Sequence, residues 1–140
     1  MPLLALAVFS PLSPLHAQTN GTWTTNGPGN WSDSANWSGT AIASGATAIA
    51  DFSTLDLTGD HLVAIDSPFT IGTLLSQDAT TPTHNWTLGG AGPLTLDNGA
   101  SQPVLNVINQ SLTISTPLAG TNGFNKTGTG DLVLSVGRLA

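Results

Sequence analysis

From Thr47 onward, apolar and polar positions alternate along the chain with a period of two. Ala48, Ala50 and Phe52 alternate with Ile49 and Asp51, and the run His61-Leu62-Val63-Ala64-Ile65-Asp66 continues the pattern. Alternation of this kind marks strands with one buried face, because successive side chains on a strand point to opposite sides. It predicts strands over residues 61–66, 69–75, 85–88, 93–97, 103–108, 111–116 and 131–135. Asp66-Ser67-Pro68 punctuates the first two, and the polar stretch 76–84 is the longest expected loop. No segment sustains the i, i+3, i+4, i+7 spacing of an amphipathic helix.

Several of these strands share one form. Leu94-Thr95-Leu96, Leu112-Thr113-Ile114 and Leu132-Val133-Leu134 begin 18 and 20 residues apart, and Leu74 lies 20 before Leu94. Gly or Pro separates them, at Gly99, Pro103, Pro117, Gly120, Gly123, Gly128 and Gly130. A strand–turn–strand unit of about 20 residues stacked on copies of itself predicts an all-β fold, a right-handed parallel β-helix or β-solenoid. Inward Leu, Ile and Val would form columns with Thr outside. A β-sandwich is the alternative that the same Leu-Thr-rich composition allows. A solenoid has open ends that need capping. The region 18–45 carries Trp23, Trp31 and Trp37, with Asn30-Trp31 and Asn36-Trp37 as a repeated pair, and is the expected N-terminal cap. The rungs would occupy 46–140, with no evident cap after Leu134-Ser135.

Residues 1–17, MPLLALAVFSPLSPLHA, read as an export signal: an apolar run from Leu3 to Phe9 and a small-residue ending at Leu15-His16-Ala17. The run is too short to span a bilayer, and the only positive charge at its start is the terminal amine. Cleavage would give a mature chain beginning at Gln18, secreted or held at the outer cell surface.

Composition narrows the function classes. Of 140 residues, 20 are Thr, 13 Ser, 10 Asn and 16 Gly, and only 7% are charged, against about 25% in ordinary soluble proteins. All eight acids are Asp, Lys+Arg is 2, and the net charge is −6. Two cations cannot neutralise a run of phosphates, which argues against nucleic-acid binding. With no Cys there is no disulfide framework, thiolate zinc site or thiol nucleophile.

The C-terminal segment carries a recognisable motif. Lys126-Thr127-Gly128-Thr129-Gly130-Asp131-Leu132-Val133-Leu134-Ser135 resembles the hallmark K-T-G-x-G-x-L-x-L-S of the autotransporter-associated β-strand repeat at every fixed position. Gly21-Thr22-Trp23, Gly29-Asn30-Trp31-Ser32-Asp33, Ala35-Asn36-Trp37, Ala50-Asp51-Phe52-Ser53, Thr70-Ile71-Gly72 and Leu94-Thr95-Leu96-Asp97-Asn98 resemble, in order, the N-terminal regions of large secreted proteins bearing this repeat. The resemblance implies an exported, parallel β-helix, passenger-like segment. Where such proteins continue with a further turn and strand, this chain reads Val136-Gly137-Arg138-Leu139-Ala140. The resemblance therefore implies an N-terminal portion whose partners are the missing C-terminal repeats or a translocator or anchor.

Candidate chemistry is sparse. Glycoside hydrolysis needs two placed carboxylates, and the candidates Asp33, Asp51, Asp56, Asp60, Asp66, Asp78, Asp97 and Asp131 mostly sit beside turn residues, where Asp bonds local backbone. Lys126 and Arg138 are the only cations for a lyase-type site. Gly89-Gly90-Ala91-Gly92-Pro93 follows the start of a calcium-binding roll motif, but Leu94 stands where the Asp ligand belongs. His61 and His84 lack a third His for zinc in the mature chain. The expected catalytic, cofactor and metal sets are therefore empty.

Trp23, Trp31 and Trp37 remain as candidates for a sugar-stacking platform, with surface glycans as partners; otherwise they close the solenoid end as core. The leading expectation is a non-catalytic structural segment of an exported passenger. An adhesin or carbohydrate-binding module is the alternative, and a β-helix carbohydrate-active enzyme is third.

Overall fold

A computed structural model describes residues 17–135. Apart from Ala17, the expected export signal lies outside the described residues, as does 136–140. Thirteen strands coil through three parallel sheets. Sheet A holds β1 (Gly21–Thr22), β3 (Ile49–Phe52), β6 (Thr73–Ser76), β9 (Val104–Val107) and β12 (Asn125–Thr127). Sheet B holds β2 (Gly29–Asn30), β4 (His61–Ala64), β7 (Trp86–Gly89), β10 (Ser111–Ile114) and β13 (Asp131–Leu134). Sheet C holds β5 (Phe69–Ile71), β8 (Leu94–Leu96) and β11 (Leu118–Ala119). Every strand pairs in parallel with the equivalent strand one turn away, so the chain is an all-β solenoid rather than a sandwich. No described helix is long and apolar enough to cross a membrane.

Alternation becomes columns because the strands stack in register. Ala50, Leu74 and Leu105 stack inward on sheet A, Val63, Leu88 and Ile114 on sheet B, and Phe69, Leu94 and Leu118 on sheet C. All but the half-buried Phe69 are buried, and each buried Val, Leu or Ile among them stabilises the fold by about 1.5–3 kcal/mol. The outward partners are often Thr, as at Thr87–Thr113 and Thr70–Thr95.

The repeat is three-sided, not the expected strand–turn–strand unit. Leu112 does stack under Leu132, 20 residues on. Leu94, however, stacks between Phe69 and Leu118 on sheet C, and Leu74 between Ala50 and Leu105 on sheet A. The expected strand 69–75 is two strands with a corner at Gly72. A Cβ there would come within 2.6 Å of Thr47 Cα and of Asn98 Oδ1, so only glycine lets adjacent turns approach at this corner.

Candidate functional site

The two ends of the solenoid are built differently. At the N-terminal end the chain leaves β2 at Trp31, passes through the 3₁₀ turns Ser34–Asn36 and Ser38–Thr40, and runs back antiparallel past β1. Bridges Trp23–Trp37 and Thr19–Ser44 mark the return, and Thr24 N–H donates to the Asn36 carbonyl at 2.9 Å. Asp33 starts the first turn by accepting from Ala35 N–H at 3.0 Å. Gly21 is the point of closest approach, where a Cβ would lie 2.5 Å from the Ala41 carbonyl oxygen.

This returning segment closes the interior with aromatic rings. Trp23, Trp31 and Trp37 are 0%, 0% and 2% exposed. Phe52 is the hub, with its ring centroid 5.5 Å from Trp23, 5.5 Å from Trp31, 5.6 Å from Trp37 and 5.3 Å from Trp86. The indole N–H groups are all used internally. Trp23 donates to the Thr25 carbonyl at 2.7 Å, Trp31 to Ala43 at 3.0 Å, Trp37 to Trp31 at 2.8 Å and Trp86 to Gln77 at 3.1 Å. Buried indoles with satisfied N–H groups are core residues. Placing a sugar on these rings would require opening the cap, so the structure offers no free stacking face at Trp23, Trp31 or Trp37.

Seven of the eight carboxylates accept from backbone N–H groups. Asp33, Asp51 and Asp97 accept from N–H groups two residues ahead, at Ala35, Ser53 and Gly99. Asp56, Asp60, Asp66 and Asp78 instead join neighbouring turns, accepting from the N–H of Thr81, Asn85, Ser32 and Leu57. Asp131 is exposed. The Ser32 hydroxyl, with its N–H, holds the Asp66 carboxyl below the usual range against a smaller opposing effect of burial.

Asp78 is the most committed of these acids. It is 1% exposed, and its two oxygens take N–H bonds from Leu57 at 2.7 Å, Thr83 at 2.8 Å and His84 at 2.9 Å. Asn109 of the next turn brackets the same residue, accepting from Asp78 N–H and donating to its carbonyl. Burial by itself raises the carboxyl; the three N–H donors and the His84 ring, 3.9 Å away, outweigh it and hold the group below the usual range. Asp78 thus ties together loops of three consecutive turns. His61 is similarly occupied, its Nε2 2.9 Å from the Asn26 side-chain oxygen.

Among the described residues no group of three or more metal-ligating side chains is formed. Two shallow depressions lie along sheet C and its flanking corners, one lined by Leu96, Gly99, Gly120 and Asn122, the other by Ser44, Gly45 and Thr70. Asp97 borders both and is the one ionisable residue in either.

At the C-terminal end the described residues leave two strands uncovered. β12 and β13 pair with β9 and β10 on one side and with no described strand on the other. Leu134 continues the Val63–Leu88–Ile114 column but is 41% exposed, and Val133 beside it is 44% exposed. Leu132 and Phe124 are half-buried against the core.

Sequence reasoning picked out the three tryptophans of the cap but not its hub. Phe52 lies in an alternating strand like any other, and Trp86, in β7, sits two turns away from the Trp-rich region that holds β2. Asp78 carries no local signal, since Leu57 and Asn109 are 21 and 31 residues distant.

No family model, curated protein or solved structure matches this chain. The functional reading therefore stands on its residues and geometry.

Proposed function

We propose that this chain is a non-catalytic structural segment of an exported, autotransporter-passenger-like protein. It is a β-solenoid stalk or scaffold, secreted or displayed at the cell surface. The observation that carries the reading is the contrast between the ends: three buried indoles and an antiparallel return seal one, while at the other no described strand covers β12 and β13 and Leu134 is half-exposed. An edge of that kind is a template for further strands. It falls within the segment 126–135 that resembles the repeat hallmark, so the further rungs belong to the same repeat. The carboxylates bound to backbone N–H also support a scaffold over an enzyme, because a general acid or base must be free to exchange its proton with substrate.

The test is to lengthen the solenoid. A copy of residues 91–115, one full turn through sheets C, A and B, is inserted after Ser135 of the full chain. Hydrogen exchange at β12 and β13 is then compared with the parent. Slower exchange at Leu132 to Leu134 is expected. Unchanged exchange there, with β6 and β7 still protected, would overturn the reading. Export is tested separately by mass analysis of the secreted chain, which is expected to begin at Gln18.

A further inference from the structure

Gln18 is tied to the fold through both ends of its side-chain amide. Its Oε1 accepts from the Thr47 hydroxyl at 2.7 Å, and its Nε2 donates to Asn20 Oδ1 at 3.0 Å. Asn20 Oδ1 also accepts from Ile49 N–H at 2.9 Å, and Thr19 exchanges two backbone hydrogen bonds with Ser44. Gly45 lets this segment lie close: its φ is +111°, and a Cβ there would come 3.0 Å from Gln18 Cα and 3.6 Å from Gln18 N. Asp97 meets the same point from the end of β8, because Thr47 N–H donates to its carbonyl oxygen at 2.8 Å. Ala17, Gly45, Thr70 and Asp97 line one depression, whose only ionisable side chain is Asp97. That carboxylate is exposed, takes the Gly99 N–H on Oδ1, and has no cation within salt-bridge distance among the described residues.

We propose that cleavage after Ala17 completes this depression, leaving the Gln18 α-ammonium at its rim as the intramolecular partner of Asp97. The inference rests on the export reading and adds what processing does to the folded chain. Before cleavage the Gln18 nitrogen is a neutral amide. Hydrolysis of the Ala17–Gln18 bond consumes one water; the new carboxylate departs on Ala17, and the new amine on Gln18 takes up a proton at neutral pH. Exposed ion pairs are weak largely because both side chains must be ordered to meet. Here Thr47 already holds Gln18 by its hydroxyl and Asp97 by its backbone N–H, so much of that ordering is in place before the charge appears. The pair draws residues 18–19 onto Ser44 and Gly45. Holding the Gln18 amide on Thr47 and Asn20 also opposes a competing reaction. In it the new amine attacks Gln18 Cδ, ammonia leaves with Nε2, and an uncharged lactam remains.

The test compares the mature chain, residues 18–140, with its α-amine free and acetylated; all thirteen strands lie within it. The reporter is hydrogen exchange at Ser44 N–H, which donates to the Thr19 carbonyl and is distant in sequence from both charges. Exchange should be about two- to fivefold slower with the amine free, the range of a half-exposed ion pair. The difference should vanish in Asp97→Asn, which keeps an oxygen for Gly99 N–H, and should shrink in molar salt. Equal exchange in the two parent forms, or a difference that survives Asp97→Asn with β6 and β7 still protected, overturns the pair and leaves the export reading standing. Salt keeps the test decisive if Asp97→Asn disturbs the fold: a parent difference that molar salt leaves intact also contradicts the pair. Mass analysis of the secreted chain adds a further check. A lactam at Gln18 overturns the pair alone, whereas a chain that begins elsewhere overturns the export reading and the pair with it.

Discussion

Trp37 donates its indole N–H to the carbonyl oxygen of Trp31 at 2.8 Å, and the two rings meet edge to face with centroids 5.0 Å apart. One side chain thus satisfies the backbone of the other while packing against its ring. Repetition of Asn-Trp six residues apart makes this possible, because the intervening 3₁₀ turn brings the second tryptophan back over the first. The cap is a hydrophobic plug whose indole N–H groups are internally matched, which lets aromatic residues close the interior of a solenoid at its end.

Removing the plug should be costly. Trp37→Ala is expected to destabilise the chain by about 3–5 kcal/mol, the usual cost of truncating a buried tryptophan. Trp37→Phe keeps most of the packing but leaves the Trp31 carbonyl without its donor, for about 1–3 kcal/mol. Urea unfolding of both variants against the parent checks the order.

Asp78 makes stability depend on acid. Its carboxyl is held below the ordinary range when folded, so its stabilisation is complete above the unfolded value and disappears as pH falls through the lowered folded one. In Asp78→Asn one oxygen becomes an amide that faces the N–H groups of Thr83 and His84. A loss of about 3 kcal/mol at neutral pH is expected, together with a flatter decline as pH falls below the ordinary carboxylate range. Thermal unfolding at several pH values measures both. An equally steep acid decline in the variant would place the acid sensitivity elsewhere.

Gly128 seats the last strand of sheet A. Its φ of +79° lies in the left-handed region, and a Cβ there would fall 2.1 Å from the Val107 carbonyl oxygen. Gly128→Ala should therefore lift β12 from β9, at a cost of about 1–3 kcal/mol from the backbone alone. Faster hydrogen exchange at Lys126 and Thr127, with β6 unaffected, is the expected signature.

The apolar columns should weaken toward the open end. Leu105→Ala removes a fully buried side chain that packs on Leu74 and is expected to cost about 2–5 kcal/mol. Leu134→Ala removes a side chain already 41% exposed and should cost under about 1 kcal/mol by area. Chemical denaturation of the two variants compares them directly.

The solenoid was legible because alternation and Gly/Pro punctuation are the same on every face of the coil. The number of faces was not. An inward Leu looks alike on sheets A, B and C, so Leu94 and Leu112 read as successive copies although they lie on different sheets. β12 was invisible for a different reason. Asn125, Lys126 and Thr127 are all polar, and they form a strand because β9 offers its edge, not through their own preference. At the candidate site, residue type favoured Trp23, Trp31 and Trp37, yet a tryptophan has the same letters on a platform as in a core. Their burial follows from the return of the chain over β1, which depends on the Gly21 approach and the Trp23–Trp37 bridge rather than on any local pattern.

The most direct measurement is tryptophan emission of the mature chain, residues 18–140, with acrylamide quenching, before and after addition of a glycan panel. The sealed cap predicts blue-shifted, poorly quenched emission that no glycan alters. Red-shifted, readily quenched emission that one glycan protects would contradict the cap and make the Trp-rich end a binding surface.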